Sequence, residues 1–93
     1  MNDLNESDTI GSVTWLSNMT DRYGDMLIME GYNDCIEGVC IQFGKPPCII
    51  YNREKVINTL VSQGMTIEEA EDFHEFNQAG AYMGENTPVF MLT

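Results

Sequence analysis

Side chains able to do chemistry cluster in the second half of this chain, in the run Thr66-Ile-Glu-Glu-Ala-Glu-Asp-Phe-His-Glu-Phe-Asn77. Wound as a helix, the run sets Glu68, Glu71, Asp72 and Glu75 at i, i+3, i+4 and i+7, the spacing of one helical face. Acidic residues in a first turn are favoured by the helix dipole, which accounts for Glu68 and Glu69. Asp72 and Glu75 lie farther along, with no lysine four residues on to relieve their repulsion. Such a ridge is a candidate protein-binding face or phosphate mimic, weighed against a plain solvated helix side.

His74 is the only histidine, and Cys35, Cys40 and Cys48 are the only thiols. Glu71-x-x-His74 matches half of a di-iron carboxylate motif, which needs a second copy on another helix. A zinc site from the three cysteines and His74 is equally poor: on a helix, Cys35 and Cys40 would lie some ~140 degrees apart. A cysteine nucleophile with His74 as base is conceivable on composition, yet acidic surroundings raise a thiol pKa and deplete the thiolate. Glycine-rich phosphate loops, nucleophile elbows and metalloprotease helices are absent from the sequence. No catalytic residue, metal or cofactor is expected, and the thiols read as small core residues. The loop Tyr82-Met-Gly-Glu-Asn-Thr87 adds an aromatic and a thioether, Tyr82 and Met83, of the kind that anchor interfaces.

Composition narrows the partners. The 93 residues carry a formal charge of −11, and all four basic residues, Arg22, Lys45, Arg53 and Lys55, precede position 56. Direct binding to nucleic acid or an anionic membrane is disfavoured, because phosphate contacts draw on Lys and Arg. An apolar fraction of 43% suits a folded domain rather than a disordered chain. The sequence lacks both a signal-peptide pattern and a membrane-span-length apolar run, so an intracellular chain with reduced thiols is expected.

The elements that must hold these residues follow from period and punctuation. Residues 1–9 are polar and acidic and read as a flexible tail, leaving 10–93 as one domain. Ile10, Val13, Leu16 and Met19, with Trp15, suggest a short helix. Met26-Leu-Ile-Met29 reads as a buried strand between turn signals. Residues 34–43 satisfy both periods: Val39, Ile41 and Phe43 alternate, while Ile36, Val39, Cys40 and Phe43 fit a helical face. Caps at Asn33 or Asp34 and at Gly44 favour the helix.

Cys48-Ile-Ile-Tyr51 is a second strand. Asn52 caps a helix over 53–63 that buries Val56, Ile57, Leu60 and Val61. A capping box, Thr66-Ile-Glu-Glu69, starts the helix over 66–78, whose buried face is Ala70, Phe73, Phe76 or Asn77, and Ala81 beyond. Residues 88–92 form a third strand, placed at an edge by Pro88. The expected fold is α+β: a small three-stranded sheet covered by about three helices.

From Asp25 onward the chain resembles a widespread group of small phage-encoded proteins of uncharacterised function. The matching stretches include Met29-Glu-Gly-Tyr-Asn-Asp34, Ile49-Ile-Tyr51, Gly64-Met-Thr-Ile-Glu-Glu-Ala70, Gly80-Ala-Tyr-Met-Gly-Glu85 and Thr87-Pro-Val-Phe90. The resemblance implies a viral origin and the cytoplasm of an infected bacterial host, and it also favours helix over strand at 34–43. Together these readings lead to an expectation of a non-enzymatic accessory protein that binds and inhibits a basic host protein, such as a nuclease or DNA-binding defence factor, through Glu68, Glu71, Asp72, Glu75, Tyr82 and Met83. The alternatives are a homo-oligomeric assembly module pairing through its C-terminal edge strand and, more remotely, a small enzyme or metal protein using His74 with Glu71.

Overall fold

The computed structural model describes residues 9–79 and 86–93. In chain order the elements are helix α1 (Val13–Tyr23), a 3-10 turn (Asn33–Cys35), strands β1 (Ile36–Gln42) and β2 (Lys45–Asn52), helices α2 (Arg53–Ser62) and α3 (Ile67–His74), a π turn (Glu75–Ala79) and strand β3 (Val89–Met91). The protein is an α+β domain, with one three-stranded sheet in the order β1-β2-β3. β1 and β2 are antiparallel; β3 returns parallel to β2 after the two helices. The acidic tail expected over 1–9 lies almost entirely outside the described residues, as do Tyr82, Met83 and Ala81.

Three expectations are corrected. Residues 34–43 form the 3-10 turn and β1, not a helix. The segment satisfied both periods locally, and the decision went to the ladder that β2 offers: Val39 pairs with Ile49 and Cys40 with Cys48. Gly44, read as a helix stop, is instead a turn residue at φ +80° between β1 and β2, a backbone conformation that glycine reaches without a Cβ penalty.

The second correction is at 26–30, which joins no strand of the sheet. Met26 and Met29 pack on the core while Leu27 and Ile28 are exposed, so the apolar run is only half used. The Met29 amide donates to Tyr51 Oη at 2.7 Å, tying this irregular segment to the sheet through a side chain rather than a ladder.

The third concerns the 66–78 helix. Its capping box forms as expected, with Glu69 N donating to Thr66 Oγ1 at 3.1 Å and Thr66 N to Glu69 Oε1 at 2.9 Å. The α-helix ends at His74, however, and its buried residues are Ala70 and His74. Phe73, expected in the core, is 36% exposed and Phe76 78%; Asn77 is also exposed.

β2 runs through Pro46 and Pro47, which strand chemistry normally forbids in a central position. The register removes the conflict. β3 reaches β2 only at Ile50, Tyr51 and Asn52, so the prolines lie where β2 has β1 alone as a neighbour. From Cys40↔Cys48 to Gln42↔Lys45, β1 advances past Ile41 while β2 advances past both prolines, which makes the pair a β-bulge. A second bulge places the extra residue on β1, at Glu37.

Asn52 caps α2 by accepting from Lys55 N at 3.0 Å, while its Nδ2 donates to Glu37 Oε2 at 3.0 Å. One side chain thus starts the helix and anchors the bulged strand. The core gathers Ile36, Ile49, Tyr51, Val56, Leu60 and Ala70, with Trp15, Leu16 and Phe90 packed against it. Burying each large aliphatic of this set contributes roughly 1.5–3 kcal/mol.

Candidate functional site

The acidic helix is positioned from both ends. Thr66 fixes its start, and Ala70 and His74, four residues apart, seat it against the core. His74 is 1% exposed; its Nδ1 donates to Gln78 Oε1 at 2.8 Å, and its ring meets Phe90 edge-on at 4.5 Å. These contacts use the imidazole structurally, as a satisfied polar group inside the fold.

With Ala70 and His74 turned inward, Glu68, Glu71 and Asp72 are exposed on the outer side of α3. Glu75, in the π turn, is exposed as well, but Arg53 Nη2 approaches its Oε2 to 3.7 Å. That cation comes from the first turn of α2, packed alongside, so the relief looked for at i+4 arrives from another helix. The pair is solvent-facing and contributes about 1 kcal/mol or less. Of the four ridge residues, three are exposed carboxylates without a recorded ion pair among the described residues, and one is partly neutralised.

The composition of α3 alone did not foretell its neighbouring side. Phe73 lies one helical turn from Phe76 and from Asn77. Phe73 and Asn77 join Met29, Tyr32, Gln78, Pro88 and Phe90 around a cavity of about 250 Å³. The polar atoms in this lining are amides and a phenol, with no ionisable carboxylate or amine. The outward turn of Phe73 follows from His74 taking the core position, and only packing reveals it.

The remaining reactive groups fall in separate places. Cys35 is buried with its Sγ 3.5 Å from Thr59 Oγ1. Cys40 and Cys48 face each other across the β1–β2 ladder, and Gln42 Nε2 donates to Cys40 Sγ at 3.6 Å. Burial pushes the Cys48 thiol pKa above its ordinary value, and the neighbouring Cys40 adds to the rise. Among the described residues, no three of His, Cys, Asp and Glu are arranged to hold a metal ion. Nor is any described helix long and apolar enough to cross a membrane.

The fold and surface define an α+β domain carrying an acidic helix beside an apolar recess. No family model, no curated protein and no solved structure matches the chain.

Proposed function

We propose that this protein is a non-enzymatic binding module that docks the outer face of α3 onto a basic protein and inhibits it by occupying sites that otherwise take phosphates. The observation carrying this reading is the exposure of Glu68, Glu71 and Asp72 on one helix held from behind by Ala70 and His74. A formal charge of −11 extends the attraction beyond the contact itself and speeds encounter with a cationic surface. Phe73 and Phe76, exposed on the adjoining side, supply the apolar contact that turns attraction into residence. A host nuclease or DNA-binding defence factor is the basic partner class that such phosphate mimicry suits, met in the cytoplasm of an infected bacterium on the viral origin that the resemblance implies.

The test compares the protein with a Glu68→Lys, Glu71→Lys, Asp72→Lys variant, leaving Glu75 and its Arg53 contact intact. Partner captured from bacterial lysate at low salt is purified and titrated against both proteins at two ionic strengths, with circular dichroism monitoring the fold. The expected result is binding weakened at least tenfold by charge reversal and weakened for the unmodified protein as salt rises, because exposed charges are screened over ~8 Å at physiological ionic strength. Equal binding by the folded variant overturns the proposal.

A second reading, self-association through a sheet edge, draws its support from β1 more than from the C-terminal strand. β3 is three residues long, whereas β1 offers seven, with Ile41 exposed and Phe43 fully exposed just beyond it. β1 carries a single charged residue, Glu37, already 3.5 Å from Lys55 Nζ, so two copies meeting there escape most of the repulsion between acidic chains. Sedimentation of the protein and of an Ile41→Lys variant distinguishes this arrangement: a dimer lost on substitution supports it, and a monomer at every concentration removes it.

A further inference from the structure

The thiols of the hairpin carry an inference independent of the acidic helix. Cys40 and Cys48 are directly paired across antiparallel strands. Residues so paired project to the same face, with Cα atoms roughly 4.5 to 5.5 Å apart, whichever type of ladder position they occupy. A disulfide spans Cα separations of about 4.4 to 6.8 Å, a range that includes the spacing of directly paired residues.

The bulge made by Pro46 and Pro47 creates this alignment. Had the register of Gln42↔Lys45 run on unbroken, Cys40 would face Pro47, and Cys48 would face Val39 on the other side of the sheet. The extra β2 residue turns both thiols to one face. Ile49 and Tyr51, which alternate with Cys48, point into the main core, and Cys48 is buried outside that cluster.

We infer that Cys40 and Cys48 form an oxidation site, closing an intramolecular cross-strand disulfide when the protein meets hydrogen peroxide. The two thiols have different roles. Cys40 is partly exposed, where a peroxide can reach it, and its sulfur receives the Gln42 amide hydrogen bond; Cys48 is buried. Cys40 thiolate attacks one peroxide oxygen, the O–O bond breaks, and a sulfenic acid forms as hydroxide leaves and is protonated to water. Cys48 then attacks the Cys40 sulfur as its thiol gives up its proton. The S–S bond forms, the S–O bond breaks, and the departing hydroxide takes up the Cys48 proton as a second water. Two thiols supply the two electrons that reduce one peroxide to two waters. Cys35 stands apart beside Thr59 and keeps its thiol.

The experiment treats the full chain with hydrogen peroxide, counts thiols after denaturation and maps linkages by proteolysis without reductant. The expected count falls from the three cysteines of the reduced chain to one. The mapped peptide joins Cys40 to Cys48, dithiothreitol reverses the change, and the melting temperature of the oxidised protein rises by roughly 5 °C or more. Cys35→Ser protein forms the same link, whereas Cys40→Ser and Cys48→Ser proteins form none within a chain. A linkage to Cys35, cross-linking between chains in place of the internal bond, or a count that stays at three under conditions that oxidise free cysteine each overturns the inference.

Discussion

Helices α2 and α3 follow one another, begin with well-formed caps and lie against the same sheet, yet they divide their apolar residues in opposite ways. α2 turns Val56, Ile57 and Leu60 inward and leaves no large aromatic outside. α3 buries only Ala70 and His74 and leaves Ile67 62% and Phe73 36% exposed beside an outer row of carboxylates, and the π turn that continues it leaves Phe76 78% exposed. The contrast separates a helix that holds the fold together from one that the fold displays. It also shows one way the fold accommodates negative charge, since Glu68, Glu69, Glu71 and Asp72 are all exposed.

Substitutions at Leu60 and Phe73 press hardest on that distinction. Leu60 is 1% exposed, so Leu60→Ala is expected to cost about 2 to 5 kcal/mol in equilibrium denaturation, the range for deleting a buried aliphatic and leaving a cavity. Phe73→Ala is expected to cost no more than about 1 to 2 kcal/mol, because part of that ring is already in water. If the Phe73 change costs as much as Leu60, α3 is a core helix after all and the comparison fails.

Tyr51 tests the sheet behind both helices. Tyr51→Phe keeps the buried ring but strands the Met29 amide, at an expected cost of about 1 to 3 kcal/mol. Burial holds the Tyr51 phenol above its ordinary pKa, with Cys35 nearby also raising it, while the Met29 hydrogen bond opposes the rise. The unfolded phenol ionises near pH ~10 and the folded one only higher, so the unfolded state binds fewer protons in that window. Stability from this group is therefore full below pH ~10 and falls as pH rises through the folded pKa. Denaturation midpoints between pH 8 and 11 are expected to decline less steeply for Tyr51→Phe than for the unmodified protein.

The smallest expected effect sharpens the comparison at the helix start. Thr66→Ala removes one half of the capping box, with an expected loss of about 1 kcal/mol. Since α3 is seated by few buried groups, the loss should also appear as faster amide exchange confined to Ile67–His74, while Arg53–Ser62 stays protected. Uniform acceleration across both helices would mean that they open as a unit.

Local chemistry read from the chain was most dependable where one short motif satisfied its own backbone. The Thr66–Glu69 box and the Asn52 cap are each complete within about one turn and appear as read, and of the face Val56, Ile57, Leu60 and Val61 the first three are buried while Val61 is half-buried. The Pro88 argument for an edge strand holds too, because a missing donor is a property of the residue itself. Residues 34–43 were legible as apolar and bounded, but not as a strand. Their choice between periods depended on β2, whose pairing no window around Gly38 contains.

By itself, then, the sequence determined composition, charge placement, the helix starts at Asn52 and Thr66 and the α+β class, all of which follow from local propensity and the count of ionisable groups. Only the tertiary structure decided that His74 rather than Phe73 takes the buried position, that Arg53 reaches Glu75, and that a proline bulge turns Cys40 toward Cys48. Those outcomes depend on which surfaces meet when distant segments pack, and the free energy that selects them arises in contacts between residues far apart in the chain.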